Sequence, residues 1–394
     1  MKKIAAIILA LLMVVSLFAC GNGNEEGKSV PDSDSTADNA DGGDKNDTPQ
    51  AIGEDGGYLD DDVDHFARET YEFAYMYTAP SSLSAMMLEA FQTLGEVYNY
   101  TMIDSTGNSN PDQFISNMRT LANNGIDGFI LDADPSVNSR IFEVADELGV
   151  PYIALFNGYR DDSGSSLVPT VMLDGYTSGY SSVKWLCDHY KDYFGDIDTS
   201  RIGMMSLTYS TAPDLQSRSD GAIDAFKEAF PDNENLISEL DTVSGTLDET
   251  TAFNLASTEF TMRTGVDVDY WIVGNVVEML SVGVARAAEL LEIDDNVIIT
   301  DVGSDMLSAE WNSGYEGCWV SCLAISNYLY TGPAVCGLIA LVDGRCTPES
   351  LWQEIKEDTD KCAVWKTDSE MVTKDTYKDY FNSIADEFGV ERPY

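Results

Sequence analysis

Few side chains in this 394-residue chain are of a type and spacing suited to covalent or metal chemistry. It has two histidines, His65 and His189, and neither has an evident nucleophile beside it in sequence. There is no Gly-x-Ser-x-Gly elbow, no phosphate-cradling loop and no Gly-x-Gly-x-x-Gly after a strand pattern. Asp132 and Asp134 have the spacing of an acid–base pair, but a loop carboxylate that orients a ligand is the simpler role. Cys318 and Cys322 are four apart, and two histidines cannot complete a recognisable zinc site around them. The acidic runs Asp32-Ser-Asp34 and Asp60-Asp61-Asp62 lack the central Gly and closing Glu of a calcium loop. These residues argue for binding without turnover, and for no cofactor and no metal.

The elements that must position them follow from periodicity. Short apolar runs alternate with helical patterns from Tyr71 onward. Strands are predicted at Glu72–Tyr77, Tyr100–Ile103, Gly128–Leu131 and Pro151–Phe156, separated by helices ending near Tyr98, Asn123 and Leu148. The rhythm restarts after Asp174, with helices at Tyr176–Phe194, Leu215–Phe230, Thr250–Arg263 and Glu278–Leu291. Strands at Ile202–Leu207, Asn235–Asp241, Tyr270–Val273 and Val297–Asp301 lie between and after them. Such alternation implies right-handed βαβ units and parallel sheets covered on both faces. The predicted fold is therefore α/β, with two doubly wound, Rossmann-like lobes. In open sheets of this kind ligands sit at the carboxyl ends of the strands, so two lobes facing each other would form a ligand cleft. Asn157 and Asn275 each fall at a strand's carboxyl end, where an amide offers a donor and an acceptor together.

Charge sets the chain's partners. Twenty-two Lys and Arg against 68 Asp and Glu give a net −46. That excludes nucleic acid, whose affinity comes from basic residues releasing counterions, and electrostatic adhesion to anionic lipid. The charge is unevenly spread: residues 1–20 carry +2, residues 21–64 carry −12 and the rest −36. Met1–Cys20 has the charged start, apolar run and small residue of a secretory signal. The apolar run is too short to span a membrane comfortably. Leu17-Phe18-Ala19-Cys20 resembles a bacterial lipobox, which implies lipidation of Cys20 and attachment to the cell membrane. Residues 21–64, rich in Gly, Asn, Asp and Ser, are expected to form a flexible acidic tether. Six further cysteines allow up to three disulfides outside the cytosol. At least one is expected, although an α/β body of this size needs none.

The order of local motifs resembles the ribose/galactose-type (type I) solute-binding proteins of ABC transporters. The carriers are Asp104-Ser-Thr-Gly-Asn108 followed by Asn110-Pro-Asp-Gln113, and Asn124-Gly-Ile-Asp-Gly128-Phe-Ile-Leu131 followed by Asp134-Pro-Ser136. Gly149-Val-Pro151-Tyr-Ile-Ala-Leu-Phe-Asn157, Asp174-Gly-Tyr-Thr-Ser-Gly179 and Gln216-Ser-Arg218-Ser-Asp-Gly221 continue the series, and Asn275 ends its strand. The resemblance implies three hinge crossings, near Asp174, Cys322 and Cys362–Val364, with closure around the ligand. It divides the body into an N-terminal lobe, 65–175 plus 323–362, and a C-terminal lobe, 176–322 plus 363–394.

Carried over position by position, the resemblance implies ligand contacts from Tyr77, Ser81, Ser82, Asn108, Asp134, Phe156, Asn157, Tyr209, Gln216, Asn275 and Asp305. Gln216 stands where several sugar binders place an Arg, and Arg218 is read as a partner for a nearby carboxylate. The implied function is capture of a sugar or related small polar solute for an ABC permease, by a monomer held on the membrane. The alternative is a receptor subunit that docks a sensor kinase or chemoreceptor. The same core occurs in repressors of the lactose-repressor type, but no basic helix-turn-helix precedes the body here.

Overall fold

The computed structural model describes residues 63–244 and 247–394. The signal segment, Cys20 and all of the tether but Val63 and Asp64 lie outside the described residues.

The chain runs β1 (Tyr71–Tyr77), α1 (Ser82–Tyr98), β2 (Tyr100–Thr106), α2 (Pro111–Asn123), β3 (Gly128–Asp132), α3 (Asn138–Leu148), β4 (Tyr152–Leu155), β5 (Thr170–Met172) and α4 (Gly175–Phe194). It continues β6 (Ile202–Thr208), α5 (Pro213–Ala229), β7 (Ile237–Asp241), α6 (Glu249–Arg263), β8 (Tyr270–Asn275), α7 (Glu278–Leu290), β9 (Val297–Asp301) and α8 (Asp305–Asn312). Last come β10 (Ser321–Ala324), α9 (Tyr328–Val342), β11 (Val364–Lys366), β12 (Glu370–Thr373) and α10 (Tyr377–Glu387).

The strands form where apolar runs can be covered on both faces. All seven residues of β6 are buried, as are Phe73 to Tyr77 of β1. Helix starts are fixed by local chemistry. Ser81 caps α1 by accepting from the Ser84 amide at 3.0 Å. Asn110 caps α2 ahead of Pro111, and Asp174 caps α4 through the Thr177 amide at 3.0 Å.

Two parallel sheets result. The first has the order β11-β5-β4-β3-β1-β2 and the second β7-β6-β8-β9. The β10–β12 pair is antiparallel and joins the edge of the second through bridges from Ile299 to Trp319 and from Val302 to Leu323. The fold is thus the α/β, two-sheet architecture expected. Strand order reverses between β1 and β3 in one sheet and between β6 and β8 in the other. At such switch points adjacent loops diverge and leave a crevice.

The structure differs from the sequence expectations at four points. Val364–Lys366 pairs with Thr170–Met172 in the first sheet, so the third crossing lies between Lys366 and Glu370 and not at Cys362–Val364. β10 belongs with the second sheet, which moves the middle crossing past Ala324. Asn235 and Leu236 form the end of a 3₁₀ turn, and β7 starts at Ile237. The expected disulfide is absent among the described residues: Cys187, Cys318, Cys322, Cys336, Cys346 and Cys362 are thiols. Most sit inside separate parts of the core, where hydrophobic packing holds the chain without a crosslink.

Helices α4 and α5 pack closely against each other on the second sheet. An added Cβ at Gly179 would stand 1.8 Å from the Arg218 carbonyl oxygen, and one at Gly221 would stand 2.1 Å from that of Tyr176. Only hydrogen side chains permit this approach.

Candidate functional site

The carboxyl ends of both sheets open onto one cavity of about 630 Å³. It exceeds the hollow of about 380 Å³ behind α1 and α8 and the one of about 440 Å³ beside Gly149–Tyr152. The loop after β4 supplies Phe156 and Asn157, α1 supplies Ser82 and Leu83, and β3 ends in Asp132. Facing them are Asp214 and Arg218 from α5, Glu278 and Met279 from α7, and Gly303 to Met306 before and within α8. Asn327 and Tyr330, at the second crossing and the start of α9, complete the wall.

The aromatic part is specific. Phe156 adopts a left-handed backbone, with φ of 64°, and its ring meets Tyr330 edge-on at 5.1 Å between centroids. A left-handed non-glycine residue is strained unless its surroundings fix it, and here the strain aims a ring into the cavity. Tyr330 is buried, and that burial pushes its hydroxyl up to about 12, so it stays a neutral donor or acceptor.

Among the described residues, Arg218 is the one basic side chain on the wall. It donates from Nη1 to the Val276 carbonyl at 3.0 Å and from Nη2 to Asp214 at 2.8 Å. Its Nε has no protein partner. Each Nη carries a second N–H beyond these bonds and the side chain is 14% exposed, so the guanidinium can still donate to a ligand oxygen from its Nη atoms, while its Nε is buried.

The acidic groups are unusually desolvated. Burial raises Asp132 to about 6, although Tyr75 donates to it at 3.2 Å. Burial, then the facing Asp305, lifts Glu278 to about 7, while the Met306 amide donates to it at 2.8 Å. Asp301 stands behind Glu278, fully buried, and burial holds its carboxyl far above the usual range. The Ser281 hydroxyl and Trp319 indole face Asp301, yet neither oxygen closes a hydrogen bond.

Four of the residues singled out in the sequence, Ser82, Phe156, Asn157 and Asp305, line the cavity. The others do not. Tyr77 turns its hydroxyl to Asp104 at 2.8 Å, and Ser81 is spent on the α1 cap. Asn108 sits in an exposed left-handed turn, and Asp134 closes a tight turn by accepting from Ser136. Tyr209 lies outside the lining residues, and Gln216 bonds Asp220 and Glu239 on the far side of α5. Asn275 is buried and bridges the Leu207 amide, at 3.3 Å, to the Ser281 hydroxyl, at 3.0 Å. It holds the sheet edge and does not reach solvent. Glu278, Asp214, Asn327 and Tyr330 were missed. Their only local signal is position, in first helical turns and at a crossing, which sequence periodicity does not connect to the cleft.

The family model described as a periplasmic binding protein domain matches residues 77–314. The chain belongs to that family. It is accordingly a binding protein and not an enzyme. No significant relative is found among the curated proteins. Several solved structures share the fold. One is a periplasmic solute-binding protein of an ABC transporter from Actinobacillus succinogenes 130z with bound D-allose. It is 14% identical at a TM-score of 0.60, over 79% of this chain and 100% of that one. Another is a periplasmic ribose ABC transporter protein from Conexibacter woesei DSM 14684, 16% identical at a TM-score of 0.61, over 82% and 98%. A sugar-binding protein of a sugar ABC transporter from Bacillus halodurans is 17% identical at a TM-score of 0.60, over 79% and 100%.

Proposed function

We propose that this protein is the lipid-anchored, extracytoplasmic solute-binding component of an ABC importer, and that its solute is a sugar or sugar-like molecule. The observation that carries the reading is the cavity of about 630 Å³ lined from both lobes, with Phe156 and Tyr330 on one wall and Arg218 opposite polar groups on the other. Its size is that of a small-molecule site. Aromatic faces complement the apolar C–H face of a sugar, while the guanidinium and amides bond its hydroxyls. The structurally similar D-allose-bound and ribose-transporter proteins support the solute class.

The site residues of this reading are Ser82, Asp132, Phe156, Asn157, Arg218, Asp305, Asn327 and Tyr330. The mechanism is hinge closure about the three crossings. Lys366 and Asp174, on two of them, pair at 3.1 Å and would keep those segments moving together. No bond is broken: the closed state is favoured because the ligand satisfies groups on both lobes at once. Cys20 carries the lipid, the acidic tether holds the body off the membrane, and the body works as a monomer beside its permease.

The test is a thermal-shift and calorimetric screen over pentoses, hexoses, polyols and nucleosides. A saturable hit should stabilise the protein by mass action and be lost in Asn157→Ala combined with Arg218→Ala. A tight ligand unaffected by that double change would overturn the site. Cys20→Ser should abolish lipid labelling and release the protein from membranes.

A further inference from the structure

Beyond the sugar reading, and resting on it, the charge balance of the cavity narrows the solute class. Among the described residues, Asp132, Asp214, Glu278 and Asp305 line the wall against Arg218 alone. Arg218 is already neutralised by Asp214 at 2.8 Å. Asp301, fully buried with both carboxylate oxygens lacking a hydrogen bond, adds a further acidic group immediately behind Glu278. Asp214, Glu278 and Asp305 each sit in the first turn of a helix, where the helix dipole favours an acid. Asp132 and Asp301 end strands and have no such reason to be acidic. The edge-on pair of Phe156 and Tyr330 brings π-faces to the same cavity, and aromatic faces attract cations.

We propose that the solute captured in this cleft carries an ammonium group, as an amino sugar does, and that Asp305 and Asp132 receive it. Asp305 makes no side-chain hydrogen bond to the protein among the described contacts, and it stays accessible from the cleft. Asp132 commits one oxygen to Tyr75 and stands on the opposite lobe. A cation between them would supply the positive charge that the wall lacks. Burial holds the carboxyls of Asp132, Glu278 and Asp305 above the ordinary range. An arriving ammonium would therefore drive protons off them, because an opposite charge favours the ionised form.

The experiment is isothermal titration of the full-length protein with glucosamine, galactosamine and mannosamine. Their neutral parents and their N-acetyl derivatives are titrated in parallel, in two buffers of different ionisation enthalpy. The expected result is that at least one amine binds about tenfold or more tighter than its neutral parent and its N-acetyl form, the scale of one charge-assisted hydrogen bond. Its binding should release protons to the buffer. Asp305→Asn, and separately Asp132→Asn, should erase the amine preference, so that the ratio of amine affinity to neutral-parent affinity falls to about one. Neutral sugars binding as tightly as their amines, or amine binding without proton release, would overturn the ammonium assignment and leave the sugar reading intact. Failure of every sugar, neutral and aminated, to bind would overturn the sugar reading itself, and the ammonium assignment with it.

Discussion

Replacing Gly179 by Ala tests the link between scaffold and site most directly. The new Cβ would lie 1.8 Å from the Arg218 carbonyl oxygen, and an ordinary contact begins near 3.4 Å, so α4 and α5 must part by roughly 1.6 Å. Overpacking of this kind costs about 1–3 kcal/mol. Alanine's better helix propensity returns up to about 1 kcal/mol. The net loss should be about 1–2 kcal/mol, or a fall in Tm on the order of 2–8 °C for a body the size of one lobe. The obstructing oxygen belongs to Arg218 itself, so the displacement also moves the guanidinium. Its bonds of 3.0 Å to Val276 and 2.8 Å to Asp214 cannot both survive a shift of that size. Ligand affinity should therefore fall about tenfold alongside stability, the loss of one charge-assisted bond. Differential scanning calorimetry and ligand titration read the two effects, with Lys184→Ala on the exposed face of α4 as the control that changes neither. A Gly179→Ala protein with wild-type Tm and wild-type affinity would refute the packing argument. A lowered Tm with unchanged affinity would refute the coupling to Arg218.

Arg218→Lys should weaken ligand binding nearly as much as Arg218→Ala, because one ammonium cannot hold Val276, Asp214 and a ligand oxygen at once; equal affinity of Lys and Arg in calorimetry would contradict this. Phe156→Ala should cost about 2 kcal/mol in denaturant melts, less than a fully buried Phe, and lower affinity with it; a melt at the wild-type midpoint would contradict the packing against Tyr330. Glu278 is raised in the folded protein, so it binds protons more readily folded than unfolded and removes stability as pH rises through about 7. Glu278→Gln should thus gain Tm relative to wild type between about pH 5 and pH 8, and a constant difference across that range would count against the buried cluster. Thiol labelling of the native protein should reach Cys346 first, since the other five described cysteines are buried; uniform labelling would contradict that burial.

Much of the scaffold is legible locally. The strands from β1 to β9 other than β5, and the helices from α1 to α7, carry unbroken apolar runs or helical spacing, and caps such as Asn110-Pro111 mark where they start. β5, β10, β11 and β12 are three or four residues long and draw their stability from neighbours, so no window of sequence announces them. Because β11 is one of these, the third crossing falls after Lys366 and not at Cys362–Val364.

The site was legible by position and not by direction. Gln216 and Arg218 are two residues apart on α5, which places them about 200° apart around the helix, so only one can face the cleft. The glycine contact with α4 sets that rotation, and it brings Arg218 to the cavity while Gln216 turns to Asp220 and Glu239. Asn275 was correctly placed at a strand end, but its amide is consumed in joining Leu207 to Ser281.

The sequence by itself determined an acidic, two-array α/β body with its ligand loops at the strand ends, because periodicity and charge are local or additive properties. Only the tertiary structure decided which carboxylates are buried together and which cation meets them. Those outcomes depend on helix rotation and on contacts between residues far apart in the chain, as when Asp132 of one lobe comes to face Asp305 of the other across a single cavity.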